Sequence, residues 1–94
     1  MDNPLDFNRK VVIVTGGGKG VGRGITERFL QAGANVVICG RSEPDELPRA
    51  DDREAVFTPC DVREYDQIEA CVDFTKERFG GLDVLVNNAG GAPY

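Results

Sequence analysis

The feature that most constrains the fold of this chain is a glycine-rich turn that separates an apolar run from an amphipathic segment. Residues 10–15 (KVVIVT) are mostly β-branched, and the turn follows at once as Thr15-Gly16-Gly17-Gly18-Lys19-Gly20-Val21-Gly22. A short, continuous apolar run is typical of a strand that is buried on both faces of a parallel sheet. Residues 20–32 then form a predicted helix that Gly33 ends. Its apolar positions recur at helical spacing: Val21, Ile25, Phe29 and Ala32.

The rest of the chain continues to alternate between apolar runs and helical patterns. Short strands are predicted over 35–39 (NVVIC), 55–58 (AVFT) and 82–86 (LDVLV), and residues 41–54, which contain two prolines, are predicted as a loop with room for one helical turn. A second helix is predicted over 64–79, with acidic residues near its start and basic residues near its end, as the helix dipole favours. One face of this helix is apolar: Ile68, Cys71, Val72, Thr75 and Phe79.

This order of elements predicts an α/β fold, a doubly wound parallel sheet of the Rossmann type with right-handed crossovers. When the four predicted strands are counted along the chain, we expect the order 3-2-1-4 across the sheet. The 94 residues reach just past the fourth strand. We therefore expect the domain to be truncated after the fourth strand, with an unpaired apolar edge that favours aggregation.

A glycine-rich turn between a parallel strand and a helix can bind a pyrophosphate. The helix start offers backbone N–H groups and a partial positive charge, and glycine lets the backbone approach an anion with no Cβ in the way. Gly16, Gly20 and Gly22 fit G-x-x-x-G-x-G. A magnesium-binding P-loop is excluded, because Gly20 follows Lys19 where Ser or Thr is needed, and G-x-G-x-x-G fails because residue 21 is Val. The alternative is a turn that only connects the strand to the helix.

Charge and cysteine content exclude several other classes of function. The net charge is -5 and no basic face is evident, so we expect no nucleic-acid partner. The chain has no His, and Cys39, Cys60 and Cys71 lack C-x-x-C spacing, so no metal site is predicted. We expect buried, reduced thiols, with a reactive thiol as the alternative. Residues 1–10 lack the apolar core of a secretory signal, and no apolar run nears the ~20 residues that span a bilayer. A cytoplasmic protein with no membrane partner is expected.

Three motifs, taken in order, resemble the classical short-chain dehydrogenase/reductase family. They are Thr15-Gly16-x-x-x-Gly20-Val21-Gly22 after the first strand, Asp61-Val62 after the third and Asn87-Asn88-Ala89-Gly90 after the fourth. The resemblance covers nearly the whole chain and implies that residues 1–94 are the N-terminal part of a dinucleotide-binding domain. It also implies an oxidoreductase that interconverts an alcohol and a carbonyl of a small-molecule substrate, and a complete protein that forms a homo-oligomer.

The resemblance implies a role for each matching position. In the phosphate loop, which we define as residues 15–22, the cofactor-binding positions would be Gly16, Gly18, Lys19, Gly20, Val21 and Gly22. Asp61 and Val62 would contact the adenine, with a helix-capping role for Asp61 as an alternative or an addition. Asn87 would join neighbouring strands. The positions that would flank the ribose near the nicotinamide are Asn88, Ala89 and Gly90.

The residues after the second predicted strand favour NADP(H) over NAD(H). An acid that binds both ribose hydroxyls of NAD belongs roughly 20 residues past the loop, and here that position is Gly40, followed by Arg41. A guanidinium suits a 2′-phosphate, and Lys19 adds a second cation, as in NADP(H)-preferring members of the family. NAD is the alternative, and Arg41 would then be a solvated loop charge neutralised by Glu43.

No catalytic residue is predicted within the chain. The family pairs a Tyr general acid/base with a Lys four residues later and a Ser that orients the substrate. Here Tyr65 is followed four positions later by Glu69, and Tyr94 is the last residue, so no Tyr-x-x-x-Lys is present. We expect the 94 residues alone to be an inactive fragment of a longer protein. The alternatives are a free-standing dinucleotide-binding fragment without chemistry, or an interaction module that acts through its exposed edge.

Overall fold

The computed structural model describes residues 7–88, and its main feature is a parallel sheet of four strands. The strands of this part of the chain are β1 (Val11–Thr15), β2 (Asn35–Gly40), β3 (Arg49–Ala50), β4 (Arg53–Glu54), β5 (Val56–Pro59) and β6 (Val84–Val86). The order across the main sheet is β5-β2-β1-β6, which is the predicted 3-2-1-4 order when these four strands are counted along the chain. The prediction of a Rossmann-type parallel sheet is therefore confirmed.

Two helices cover the two faces of the sheet. The first, α1, spans Gly20–Gln31, and the second, α2, spans Tyr65–Phe79. Successive residues of a strand point to opposite faces, so Val12 and Val14 pack in the cluster that includes residues of α1, while Ile13 packs in the cluster that includes residues of α2. All of β1 is buried, as its unbroken apolar run predicts. Neither helix within residues 7–88 is long and apolar enough to cross a membrane.

Helical periodicity predicts the buried face of α2 correctly but misplaces one residue of α1. The predicted positions of α2 are all buried or half-buried: Ile68, Cys71, Val72, Thr75 and Phe79. In α1, Ile25 and Phe29 pack against the core as predicted, but Val21 is 76% exposed. The residues of α1 that are buried are Gly22, Thr26 and Leu30. Helix α1 has this orientation about its axis, with Val21 exposed, because the face that carries Gly22 lies against the backbone of the phosphate loop.

Residues 41–54, predicted as a loop, contain a small antiparallel hairpin of β3 and β4. Asp51 lies in its turn with φ of 56°, a left-handed conformation that Asp tolerates better than most residues. Leu47 and Ala50 pack against the core cluster that includes residues of α1. The sequence pattern misses this hairpin because each strand has only two residues, too few for an alternation of apolar and polar side chains.

Polar contacts join β1 to β6 at both ends. At the start, Val11 N donates to the Asp83 carboxylate at 2.8 Å, and Asp83 N donates to Val11 O at 2.9 Å. At the other end, the Thr15 hydroxyl donates to Asn87 Oδ1 at 3.3 Å, and Asn88 N donates to Thr15 Oγ at 2.8 Å. Asn87 therefore joins neighbouring strands, as the resemblance implies. These contacts align the carboxyl ends of the two strands.

Gly22 and Gly24 lie in the same helix and provide a matched test of the packing of the phosphate loop. A Cβ at Gly22 would collide with Gly16 O and lie 2.6 Å from Asn88 Nδ2, whereas a Cβ at Gly24 would meet nothing within 4 Å. We expect Gly22→Ala to lower the free energy of unfolding by about 2 kcal/mol, because the loop backbone must move. Gly24→Ala should raise it by roughly 0.5–1 kcal/mol through helix propensity. Urea unfolding followed by circular dichroism measures both, and equal effects would contradict the close packing.

Candidate functional site

The phosphate loop folds over the carboxyl end of β1 and is held from both neighbouring strands. Gly16 and Gly20 have φ of 66° and 59°, in the left-handed region that favours glycine. Gly16 N donates to Cys39 O at 2.8 Å, which anchors the loop to β2. The Asn88 side chain, which follows β6, donates from Nδ2 to Gly16 O at 3.4 Å. The loop therefore has a defined backbone conformation that depends on both strands.

Helix α1 starts with the electrostatics of an anion site. Lys19 is its N-cap, with an extended backbone, and no side chain caps the helix. The first turn of α1 contains no acidic residue, whereas Asp66 lies in the first turn of α2. The first N–H groups of a helix have no intrahelical acceptor and carry a partial positive charge. A pyrophosphate can supply both the missing acceptor and the negative charge.

A cleft of about 830 Å³ opens between the phosphate loop and the residues that follow β2. It brings Gly16, Gly18 and Lys19 together with Arg41, and Phe57 adds apolar surface to its lining. Clefts of roughly 300–1,000 Å³ are typical of sites for small organic ligands. The cleft is therefore large enough for the adenosine side of a dinucleotide.

Charged side chains of both signs line this cleft. The cations are Lys19, Arg23 and Arg41. The acids are Glu43, Asp45 and Glu46. Gly40, at the end of β2, offers no carboxylate to ribose hydroxyls. Within residues 7–88, no carboxylate forms an ion pair with the exposed Arg41, so the structure gives no support to its neutralisation by Glu43.

Residues 41–46 form the outer wall of the cleft. Pro44 lies against the phosphate loop, since a Cβ at Gly18 would be only 3.1 Å from Pro44 Cγ. A Cβ at position 18 would therefore require Pro44 to shift by a few tenths of an ångström. The absence of a side chain at Gly18 lets the wall and the loop approach each other closely.

Arg23 is a cleft residue that the sequence patterns missed. Its Nη1 donates to Gly18 O at 3.1 Å and to Glu46 O at 2.9 Å, and its Nε lies 3.4 Å from the Glu27 carboxylate. In the sequence, Arg23 reads as an exposed helix residue with an acid one turn later. Nothing in that pattern indicates that the guanidinium turns back to the phosphate loop.

Asp61 follows β5 at the same edge of the sheet and pairs with Arg63. Its Oδ1 accepts from Arg63 N and Nε, each at 3.0 Å, and its Oδ2 accepts from Nη2 at 2.8 Å. Hydrogen bonds from the Arg63 guanidinium and backbone, with smaller contributions from the charges of Arg63 and Arg41, lower the pKa of Asp61 to about 2. Glu64 is the N-cap of α2, and no side chain caps that helix, so the helix-capping interpretation of Asp61 is wrong.

The three cysteines belong to one apolar cluster between the sheet and α2: Cys39, Cys60 and Cys71. All three are buried and unpaired, as expected. Hydrogen bonding to Cys71, together with burial, raises the pKa of Cys39, so this thiol is protonated at neutral pH and unsuited to a reactive role. Val62 is half-buried against the same cluster. No group of side chains within residues 7–88 has the arrangement of a metal site.

The remaining predicted positions differ in their surroundings. Gly20 is exposed, and the Val21 side chain is 76% exposed beside the loop. Gly22 is buried beneath the loop, where it packs closely against Gly16. Ala89 and Gly90 lie outside the described residues.

Comparisons with known proteins match the chain to one family over most of its length. The sequence model described as short chain dehydrogenase matches residues 10–94. The chain is 49% identical over 87 residues to L-fucose dehydrogenase from Bos taurus, covering 89% of this chain and 32% of that protein. It is 39% identical over 88 residues to L-2,3-butanediol dehydrogenase from Corynebacterium glutamicum, covering 86% of this chain and 34% of that protein.

Solved structures agree with the sequence comparisons. Levodione reductase superposes with a TM-score of 0.80 at 38% identity, over 89% of this chain and 35% of that structure. Aldohexose dehydrogenase from Thermoplasma acidophilum, in ligand-free form, superposes with a TM-score of 0.78 at 39% identity, over 94% of this chain and 32% of that structure. The chain spans about a third of the length of these relatives. With the glycine-rich turn, the parallel sheet and these matches in agreement, the chain belongs to the short-chain dehydrogenase family.

Proposed function

We propose that this chain forms the cofactor-binding N-terminal part of an NADP(H)-dependent oxidoreductase that interconverts an alcohol and a carbonyl. The observation that carries the proposal is the cleft in which the phosphate loop faces Arg41. The start of α1, which no side chain caps, suits a pyrophosphate. The Arg41 guanidinium follows β2, which ends without an acid, and it suits a further phosphate. A dinucleotide with a 2′-phosphate matches both features.

The phosphate loop and the start of α1 bind the pyrophosphate in this proposal, through backbone N–H groups. Lys19 and Arg41 bind the 2′-phosphate, and Gly40 leaves room for it because no side chain extends from the end of β2. Bound cofactor covers the exposed Val21 side chain, which removes apolar surface from water. When bound, the nicotinamide supplies the hydride donor or acceptor of the reaction.

In this proposal, the residues that follow β5 and β6 bind the adenine and the ribose near the nicotinamide. Asp61 and Val62 contact the adenine, and the ionised Asp61 carboxylate can accept a hydrogen bond from the adenine amino group. Asn88, together with Ala89 and Gly90, flanks the ribose near the nicotinamide. The bond from Asn88 to Gly16 O supports this role, since it keeps the strand end beside the phosphate loop.

Replacing Arg41 with an acid tests the preference for NADP(H). Arg41→Asp removes the guanidinium and introduces a carboxylate where an acid would bind ribose hydroxyls, so we expect the Kd for NADPH to rise at least about tenfold while NADH binds as well or better. Calorimetry on the full product of the native reading frame measures both. Arg49→Asp makes the same charge change at an exposed residue of β3 and serves as the control. A wild-type protein that binds NADH more tightly than NADPH would rule out this preference.

The pH response of Asp61 provides a second test of the site. Its pKa in the fold, about 2, lies below the ordinary value of 3.8, so pairing with Arg63 stabilises the fold above pH 3.8 and the contribution is lost as the pH falls toward 2. In Arg63→Gln the pKa of Asp61 should return toward 3.8. A carboxyl-carbon NMR titration of the wild type and the variant measures this. An unchanged pKa in the variant would show that Arg63 is not its cause.

We propose that the 94 residues alone do not turn over a substrate. They contain no Tyr-x-x-x-Lys, and Tyr65, the first residue of α2, is 75% exposed. The absence of this motif also suits the second candidate, a dinucleotide-binding fragment or interaction module without chemistry. The chain matches about a third of each of two dehydrogenases, one named for L-fucose and one for L-2,3-butanediol. Because relatives named for different substrates share this region, the proposal extends to an alcohol or carbonyl substrate and not to a particular one.

The reading frame after the codon for Tyr94 distinguishes the two candidates. We expect it to continue into a Ser and a Tyr-x-x-x-Lys, and the full product to oxidise an alcohol or reduce a carbonyl with NADP(H). Residues 1–94 expressed alone should show no turnover in the same assay. A stop codon directly after Tyr94, with an intact mass that matches 94 residues, would instead support the fragment without chemistry.

A further inference from the structure

Arg23, in the first turn of α1, joins two parts of the cleft that are separate in sequence. Its Nη1 donates to Gly18 O in the phosphate loop at 3.1 Å and to Glu46 O at the end of the outer wall at 2.9 Å. Its side chain is 33% exposed. A single side chain therefore joins the two sides of the cleft.

Helix α1 is not stabilised by a positive charge at position 23. A positive charge in the first turn faces the positive end of the helix dipole, and no acid lies in that turn to offset it. Glu27 is 3.4 Å from Arg23 Nε, but their side chains are 33% and 41% exposed, and an exposed pair of this kind contributes little. Arg23 also makes two charge-assisted bonds to carbonyl oxygens, those of Gly18 and Glu46. Unlike the pair with Glu27, these bonds reach both sides of the cleft.

The outer wall contacts the phosphate-loop side of the cleft at two points, and Arg41 lies at the other end of the wall. Pro44 lies close to Gly18, and Glu46 O accepts from Arg23. Arg41 is exposed, and no carboxylate within residues 7–88 pairs with it. Since the wall leads from the end of β2 to these two contacts, they hold its far end against the phosphate-loop side of the cleft.

We propose that Arg23 is a positioning residue that holds the outer wall against the phosphate loop and so sets the selectivity of the cleft for the 2′-phosphate of NADP(H). The proposal rests on the function proposed above. It assigns to Arg23 no direct contact with the cofactor. Its guanidinium acts through Gly18 and Glu46, by keeping Arg41 at the distance that a phosphate on the ribose requires.

Three variants separate this role from a direct charge effect. Arg23→Met keeps the length of the side chain and removes both bonds to carbonyl oxygens. Arg23→Lys keeps the charge but replaces the rigid, planar guanidinium, whose Nη1 reaches both Gly18 O and Glu46 O, with a shorter side chain that ends in an ammonium. Glu27→Gln weakens only the exposed ion pair and is the control. The Kd values for NADPH and NADH are measured by calorimetry on the full product of the native reading frame, and backbone ¹⁵N relaxation of residues 41–43, 45 and 46 is measured without cofactor.

We expect Arg23→Met and Arg23→Lys to weaken NADPH binding roughly tenfold and NADH binding less than about threefold, with Glu27→Gln unchanged. Backbone order parameters of residues 41–43, 45 and 46 should fall in both Arg23 variants while those of β1 and β2 stay unchanged. Equal weakening of both cofactors, full rescue by lysine, or unchanged order parameters in the wall would each overturn the proposal. A wild-type protein that binds neither cofactor would refute the proposed function instead, and the relaxation measurement would still test whether Arg23 holds the wall.

Discussion

Parallel pairing of β1 with both of its neighbours is the constraint on which the rest of the structure depends. Because β5, β2, β1 and β6 run in one direction, their carboxyl ends meet at one edge of the sheet. The phosphate loop, the outer wall, Asp61 and Asn88 each follow one of these ends. Residues that are far apart in sequence are therefore brought to one edge by the pairing of a buried, apolar strand. Such edges are where open α/β sheets bind their ligands.

The core and the candidate site are coupled at the first turns of α1. Gly22 packs beneath Gly16, and the buried Thr26 hydroxyl contacts Gly17 O at 3.2 Å and Gly22 O at 3.0 Å. The same packing that buries α1 against the sheet therefore shapes the backbone of the phosphate loop. A loop that is shaped before the ligand arrives loses less conformational entropy on binding. The packing of this half of the sheet and the shape of the candidate phosphate site are consequently linked.

Where sequence reasoning succeeds or fails depends on what each side chain contacts. Apolar runs and helical periodicity report burial, so they predicted the parallel strands, their order and the apolar face of α2. Val21 has the right spacing for burial but is exposed, because the helix presents Gly22 to the loop in its place. The hairpin of β3 and β4 is too short to produce a pattern. Arg23 and Glu46 meet through a backbone carbonyl, which leaves no trace in the residue types.

The sequence by itself determined the family, the parallel sheet and the glycine positions of the phosphate loop, because burial and left-handed backbone restrict which residues can occupy each position. It also indicated Arg41 beside Gly40 at the end of β2. Only the tertiary structure decided how close the outer wall lies to the phosphate loop and which groups hold it there. That separation depends on contacts between segments that are distant along the chain, and a polar side chain can find a carbonyl partner wherever the backbone presents one.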